Sequence, residues 1–174
     1  MHTSHVGRPA PTEYAAYYER YIKLVPTDDL VSFMRDQVSV VVSAISPVPE
    51  ERGSFRYAPD KWTLKEVLGH VSDTERVFQY RALSIARRDP AALPGFDQDV
   101  WNPNGGFNDC TLVSLLEQWK LVRLSHLAFL ESLPKDASMR MGRASDNPCS
   151  VRALSYIAAG HVAYHLTIVR EKYL

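Results

Sequence analysis

The sequence has no excess of charge of either sign and no long apolar run. Its 174 residues include 20 Lys and Arg and 20 Asp and Glu, so the formal net charge is zero with neutral histidines. Without a basic excess the chain is poorly suited to neutralise a phosphate backbone, which argues against nucleic acid as a main partner. No apolar stretch approaches the roughly 20 residues that a membrane-spanning helix needs. The first residues also lack the basic and then apolar layout of a signal peptide. These absences predict a cytoplasmic protein that binds neither membranes nor nucleic acids.

Cysteine is scarce, and several common catalytic motifs are missing. Cys110 and Cys149 are the only cysteines and form no CxxC pair, so we expect two free thiols rather than a disulfide framework. The sequence also contains no glycine-rich phosphate loop and no nucleophile elbow. The usual signatures of nucleotide-binding enzymes and of serine hydrolases are therefore absent.

What the sequence does contain is four long segments with helical periodicity. Apolar residues recur at three- and four-residue spacing over residues 28–46, 63–88, 111–133 and 150–173, and proline- or glycine-rich stretches separate these segments. Thr63 and Glu66 have the spacing of a capping box at the start of the second segment. We see no pattern typical of a strand. The sequence predicts an all-α fold, one four-helix-bundle domain over residues 1–174, with residues 1–26 as an N-terminal arm or short helix packed on it.

The connection between the second and third helices is unusually long. Residues 89–110 contain three prolines and three glycines, and they are numerous enough to run the length of a bundle. Simple up-down-up-down order is therefore not required. A loop of this size inside a compact domain is more often functional than idle. Asp97 or Trp101 could lie over the mouth of a site, or the loop could simply cover the end of the bundle.

The spacing of two histidines on the last helix indicates a metal site. His161 and His165 are four residues apart, so both side chains project from one face of the helix. This spacing lets two imidazoles bind one ion, as in the helical HExxH motif. The intervening residues are Val-Ala-Tyr, so the glutamate of that motif is absent, which argues against a metalloprotease of that type. The alternative is a pair of core histidines satisfied by hydrogen bonds.

His70 could complete the site. It lies in the middle of the second helix, and a bundle can bring it opposite the fourth. Three imidazoles would hold one divalent ion and leave a position for water or substrate, as in catalytic zinc sites. Zinc or nickel is the first expectation, and iron or manganese would also accept these ligands. Taken alone, His70 would be a partly buried polar residue.

Other polar residues are weaker candidates. Asp73 follows His70 by one turn and could orient a ligand or act as a general base, or it could pair with Arg76 at the surface. Glu75 is expected to point elsewhere, and His126 to be half-buried at the surface.

Arg81 and a group of tyrosines near the N-terminus are further polar residues along the chain. Arg81, beside Tyr80, could bind an anionic substrate or pair with a neighbouring acid. The tyrosines at positions 14, 17, 18 and 21 are expected to serve packing.

Several motifs together resemble a known family. They are YAPDKWT at residues 57–63, GHVSDTER at 69–76 and GHVAYH at 160–165, together with RPAP at 8–11, LPGFD at 93–97 and REKYL at 170–174. With these motifs in this order, nearly the whole chain resembles the DinB-like superfamily. Within that superfamily it is most similar to the group of metal-dependent proteins related to YfiT.

The resemblance implies a fold, a site and a class of chemistry. It implies a four-helix bundle, often a homodimer, whose three metal ligands correspond to His70, His161 and His165. Characterised members include S-transferases that use bacillithiol or mycothiol, and a mycothiol-dependent maleylpyruvate isomerase. The expected function is a metal-dependent enzyme that activates a low-molecular-weight thiol, as co-substrate, or water for attack on a small electrophilic substrate. The alternatives are a non-catalytic stress-response protein that binds a metal or small ligand, and a purely structural dimerising bundle.

Overall fold

The computed structural model describes residues 6–174, and four of its helices are long. The helices are α1 (Glu19–Ile22), α2 (Leu30–Ile45), α3 (Leu64–Ala86), α4 (Gln98–Asn104), α5 (Leu112–Glu131) and α6 (Val151–Lys172). One hairpin is formed by β1 (Met141–Ala144) and β2 (Asn147–Ser150). The long helices α2, α3, α5 and α6 correspond to the four predicted segments and confirm the all-α bundle. The first five residues of the predicted arm lie outside the described residues. Among the helices of residues 6–174, none is long and apolar enough to cross a membrane.

Local sequence sets the beginnings of the helices that carry the histidines. The Thr63 hydroxyl accepts a hydrogen bond from the backbone N–H of Glu66 at 3.1 Å, and the Glu66 carboxylate accepts one from the backbone N–H of Thr63 at 2.7 Å. The predicted capping box is therefore present at the start of α3. Ser150 caps α6 by accepting a hydrogen bond from the backbone N–H of Ala153 at 3.0 Å.

The helices do not pack in sequence order. Both α2 and α3 make their main contacts within the bundle with α5 and α6, so α2 and α3 occupy opposite corners of the bundle. Helices α2 and α6 begin in one of the two apolar clusters of the core, whereas α3 and α5 begin in the other. The order of directions is thus up-down-down-up. Because α3 and α5 run in the same direction, the chain between them has to return along the whole length of the bundle. Residues 89–110 are numerous enough for this path, as the sequence predicted.

A layer of polar side chains crosses the middle of the bundle, between the two apolar clusters. One cluster contains Leu30, Met34, Phe78 and Leu130, and the other contains Val41, Leu68, Trp119 and Leu166. Each long helix contributes buried polar residues between its two apolar halves: Gln37, His70, Glu75, Arg123, His126 and His161. The candidate ligands His70 and His161 therefore lie among these buried polar residues.

One half of this layer is a closed hydrogen-bond network. Arg123 donates to the two carboxylate oxygens of Glu75 at 2.5 and 3.0 Å, and also to the side-chain oxygen of Gln37. His126 lies with Nδ1 3.4 Å from Glu75 and Nε2 3.2 Å from the Ser155 hydroxyl. The expectation that His126 is half-buried at the surface is wrong, because these partners allow it to be completely buried. Burial alone would raise the pKa of Glu75, but the Arg123 charge and the hydrogen bonds outweigh it and lower that pKa.

The hairpin between α5 and α6 was not predicted from the sequence. Its strands pair antiparallel around a tight turn in which Ser145 and Asp146 have φ of 49° and 62°. Leu93 of the long connection donates its N–H to the Arg143 carbonyl at 3.1 Å and accepts one from Ser145 at 3.0 Å. The hairpin therefore fixes the first part of the long connection.

Candidate metal centre

The three candidate histidines converge on one point in the structure. The Nε2 atom of His161 lies 3.1 Å from Nε2 of His70 on α3 and 3.1 Å from Nε2 of His165, one turn further along α6. One ring nitrogen from each of the three lies within 4.8 Å of the others. Two nitrogens that bind one tetrahedral zinc ion at about 2.05 Å are about 3.3 Å apart. The spacing of the imidazoles therefore fits ligands of a single ion.

The surroundings keep these imidazoles neutral. Burial lowers the pKa of His70 to about 4. Burial, and then the proximity of His70, lowers the pKa of His165 to about 3. The pKa of His161 is lowered well below its usual value by burial and by its two histidine neighbours. Neutral imidazole is the form that binds a metal, so the group is in the ligand state at pH 7.

Thr74 lies where it can orient His70. Its hydroxyl oxygen is 3.4 Å from Nδ1 of His70, one turn along α3. A proton held at Nδ1 leaves the Nε2 lone pair directed at the other two histidines, which is the tautomer that a ligand needs.

A glycine allows the N-terminal arm to reach the site. A Cβ atom on Gly160 would lie 2.0 Å from the backbone oxygen of Tyr21, so only glycine lets α1 contact α6 this closely. The Tyr21 ring then packs edge-on against the His161 ring with centroids 5.4 Å apart. This close contact places an aromatic side chain directly beside a candidate ligand.

Other aromatic rings enclose the remaining imidazoles. Trp62 lies 4.7 Å from His70 and Tyr164 lies 5.4 Å from His165, measured between ring centroids. The two histidines are thus held between their backbone and a neighbouring ring. This packing restricts their rotamers and favours a preformed site.

A cavity of about 440 Å³ opens beside the histidines, which is ample for a small molecule. It is lined by Tyr17, Tyr18, Tyr21, His70, Thr74, Phe78, Phe96, Asp97, Gln98 and His161. Three of the tyrosines that were expected only to pack therefore also line the cavity. The density of tyrosine in that short stretch was the available signal, since tyrosine combines an apolar ring with a polar end.

The two candidate acids lie in different places. Asp97 lines the histidine cavity, with Oδ1 accepting the backbone N–H of Asp99 at 2.9 Å. Asp73 forms an ion pair with Arg76 at 2.9 Å and lines an adjacent cavity, to which Trp101 also belongs. Asp73 therefore pairs with Arg76, which is one of the two predicted alternatives, and a role of Asp73 as a base or orienting group stays a prediction.

Comparisons with known proteins agree with this architecture. The structure is similar to that of YfiT from Bacillus subtilis, described as a probable metal-dependent hydrolase with an unusual four-helix bundle topology. The two have a TM-score of 0.69 and 13% sequence identity, over 94% of this chain and 89% of that one. At this identity the similarity concerns the fold. No curated protein matches the chain significantly.

The family follows from the sequence match together with this fold. The model of the DinB superfamily matches residues 34–169, which include α3, α5, all three histidines and most of α2 and α6. This is well over half of the chain. The protein therefore belongs to the DinB superfamily.

Proposed function

We propose that this protein is a metal-dependent enzyme in which His70, His161 and His165 hold one divalent ion. The observation that carries the proposal is the convergence of three neutral imidazole nitrogens, two pairs of them 3.1 Å apart, beside a cavity of about 440 Å³. The description of YfiT as a probable metal-dependent hydrolase supports the same class of chemistry. Zinc and nickel are the first candidates, with iron and manganese next.

A divalent ion at this site supplies Lewis acidity, which lowers the pKa of a water or thiol and polarises an electrophile. The chain itself has to supply proton transfer and orientation. Among residues 6–174, Asp97 is the one carboxylate that lines the histidine cavity. Its Oδ1 caps α4, so its geometry is fixed, and the carboxylate can accept a proton from the nucleophile. Asp73 remains a weaker candidate for this role because Arg76 already pairs with it.

The tyrosines would orient the substrate. Tyr18 and Tyr21 both line the cavity. Burial and the neighbouring Tyr17 raise the pKa of Tyr21, so its hydroxyl stays protonated and can donate a hydrogen bond. Phe78 and Phe96 supply apolar wall. A small electrophile with both polar and apolar parts fits these surroundings.

Two nucleophiles are compatible with the site, a low-molecular-weight thiol and water. We favour thiol transfer because of the resemblance to thiol-dependent members of the family, with hydrolysis as the alternative within the same mechanism. The test is to strip the protein with a chelator, restore zinc, nickel, iron or manganese singly, and screen both reactions. Thiol consumption with chlorodinitrobenzene reports transfer, and cleavage of nitrophenyl esters reports hydrolysis. Metal-dependent turnover that H165A lacks supports the proposal, and no turnover with any metal, thiol or ester argues against it.

One observation favours a non-catalytic alternative. Asp97 is the one acid that lines the histidine cavity among residues 6–174, and its Oδ1 is already engaged by two backbone N–H groups as the cap of α4. A protein that binds a metal and a small ligand without converting it would need no base. Tight metal binding with a fourth protein ligand and no turnover would support that function. A homodimer also stays a proposal, to be tested by sedimentation of the metal-loaded protein.

A further inference from the structure

Arg81 is a buried cation for which the described chain provides no acid. Its residue is only 3% exposed, yet no carboxylate of residues 6–174 lies within ion-pairing distance of its guanidinium. Its Nη2 atom donates to the Pro94 carbonyl at 2.5 Å and to the Ser145 hydroxyl at 3.1 Å, and Tyr18 is a further neutral partner. The ion pair with a neighbouring acid, one alternative from the sequence, is not found among these residues.

The other strongly buried arginine of the bundle has an acidic partner. Arg123 is completely buried and faces the Glu75 carboxylate with two hydrogen bonds. Buried charges are normally paired in this way because an isolated ion loses its hydration. Arg81 therefore has hydrogen-bond partners but lacks a compensating negative charge.

Arg81 lines a second cavity of about 410 Å³. Its walls are formed mostly by apolar and aromatic side chains: Val77, Tyr80, Leu93, Pro94, Phe96 and Trp101. Arg76, the other cation there, is already paired with Asp73. The cavity thus combines apolar walls with the Arg76–Asp73 ion pair and with Arg81, which has no acidic partner among the described residues.

This second cavity adjoins the histidine cavity. Phe96 lines both, and its ring lies 5.0 Å from that of Trp101. His70, Thr74, Phe78 and Arg81 follow each other along α3 at spacings of four, four and three residues, so they share one face of the helix. His70 and Arg81 are eleven residues apart, which corresponds to a rise of about 16 Å along the helix axis. A medium-sized substrate could span this distance.

We infer that the second cavity binds the apolar, negatively charged end of the substrate, with Arg81 pairing with a carboxylate. The ligand class is an organic acid with an aromatic or branched hydrocarbon group next to its carboxylate. A single planar guanidinium matches one carboxylate, whereas a phosphate dianion would call for more positive charge. The connection of this ligand to the histidines rests on the proposed function, but its binding in the second cavity does not.

The test compares phenylbutyrate with its neutral amide by isothermal titration calorimetry. The two compounds differ at one end, where the carboxylate carries a charge and the amide does not, so comparing their difference in affinity between wild type and R81M isolates the contribution of Arg81. We expect the carboxylate to bind wild-type protein about tenfold more tightly than the amide, as a charge-assisted hydrogen bond provides. R81M should abolish the difference and R81K should keep part of it. R87Q is the matched control, because Arg87 is exposed and lines neither cavity, and it should change either affinity by less than about twofold.

Arg81 also donates hydrogen bonds to Pro94 and Ser145, so the R81M substitution could unfold this region locally. W101A then tests the cavity without touching Arg81, and it should weaken phenylbutyrate about fivefold or more through lost apolar contact. Equal affinity of wild-type protein for acid and amide, or no saturable binding of either at millimolar concentration, overturns the inference. Repeating the titration with the metal-depleted H161A/H165A variant separates the two proposals. If this variant still prefers the acid to the amide, the result supports binding of the acid in the second cavity, whatever the metal measurements show. If the variant loses this preference, the result counts against binding in the second cavity.

Discussion

The Nε2 atoms of His70 and His161 lie 3.1 Å apart although 91 residues separate them in the chain. The antiparallel packing of α3 on α6 brings them together, and both lie in the polar layer between two apolar clusters. The long connection that returns along the bundle supplies Phe96 and Asp97 to the cavity beside them. The site thus depends on helix order as much as on the histidines themselves.

Gly160 can be tested by adding one methyl group. In G160A the new Cβ would approach the backbone oxygen of Tyr21 to 2.0 Å, and a backbone atom cannot rotate away as a side chain does. We expect a loss of about 1–3 kcal/mol in the free energy of unfolding, as overpacking produces. The measurement is urea unfolding followed by circular dichroism. G7A is the control, because a Cβ there meets no atom within 4 Å, and equal stability of both variants contradicts the close contact.

Removing one partner of the buried Glu75–Arg123 pair should lower the free energy of unfolding more than removing both. E75A leaves the Arg123 guanidinium buried without its partner, so we expect a loss of about 3–5 kcal/mol in the free energy of unfolding. E75A/R123M removes both charges and should recover a large part of this loss. E117A is the matched surface control, since Glu117 pairs with Lys120 in solvent and should cost less than about 1 kcal/mol. Similar losses in E75A and E117A would show that the network contributes little.

Glu13 should make stability depend on pH. Burial opposes its ionisation, but hydrogen bonds from Arg152, Ser150 and the Ala10 backbone and the Arg152 charge lower its pKa to about 2, from 4.5. Because the folded state favours the charged form, this contribution is complete above pH 4.5 and is lost as the pH falls towards 2. E13Q should therefore be less stable than wild type by about 1–3 kcal/mol at pH 7, and the gap should narrow between pH 4.5 and 3. Urea unfolding at a series of pH values measures the gap, and a gap that is constant down to pH 3 speaks against the pair.

The two acids near the site predict different effects on turnover. If Asp97 accepts the proton, D97N should lower kcat by about 10²–10⁴-fold while metal content stays the same. D73N should change kcat by less than about tenfold, because Asp73 faces Arg76 and the second cavity. Steady-state kinetics on the metal-loaded variants decides this. A larger loss of kcat in D73N than in D97N would indicate that Asp73, not Asp97, is the general base.

The helices and the three histidines could be predicted because their signals are local. Periodicity, proline boundaries and the Thr63–Glu66 capping box define the segments within a few residues of α2, α3, α5 and α6. The four-residue spacing of His161 and His165 follows directly from helix geometry. Placing His70 opposite them needed only the assumption of a bundle.

The remaining features depend on contacts between residues that are far apart in the sequence. Nothing local to Glu75 or His126 shows that they meet Arg123 and Ser155 in the bundle interior. The hairpin has strands of four residues, too short for alternation to be recognised, and its turn at Ser145–Asp146 lacks glycine. The roles of Tyr18 and Tyr21 depend on the contact that Gly160 permits.

Metal content, measured by elemental mass spectrometry on tag-free protein, tests the three-histidine site most directly. Wild-type protein supplied with zinc, nickel, iron or manganese should retain close to one ion per chain. H161A/H165A should retain none, and H126A should still bind metal if it folds, because His126 belongs to the Glu75 network and not to the site. No retained ion in the wild type with any of the four metals, or equal retention in H161A/H165A, would contradict the three-histidine site.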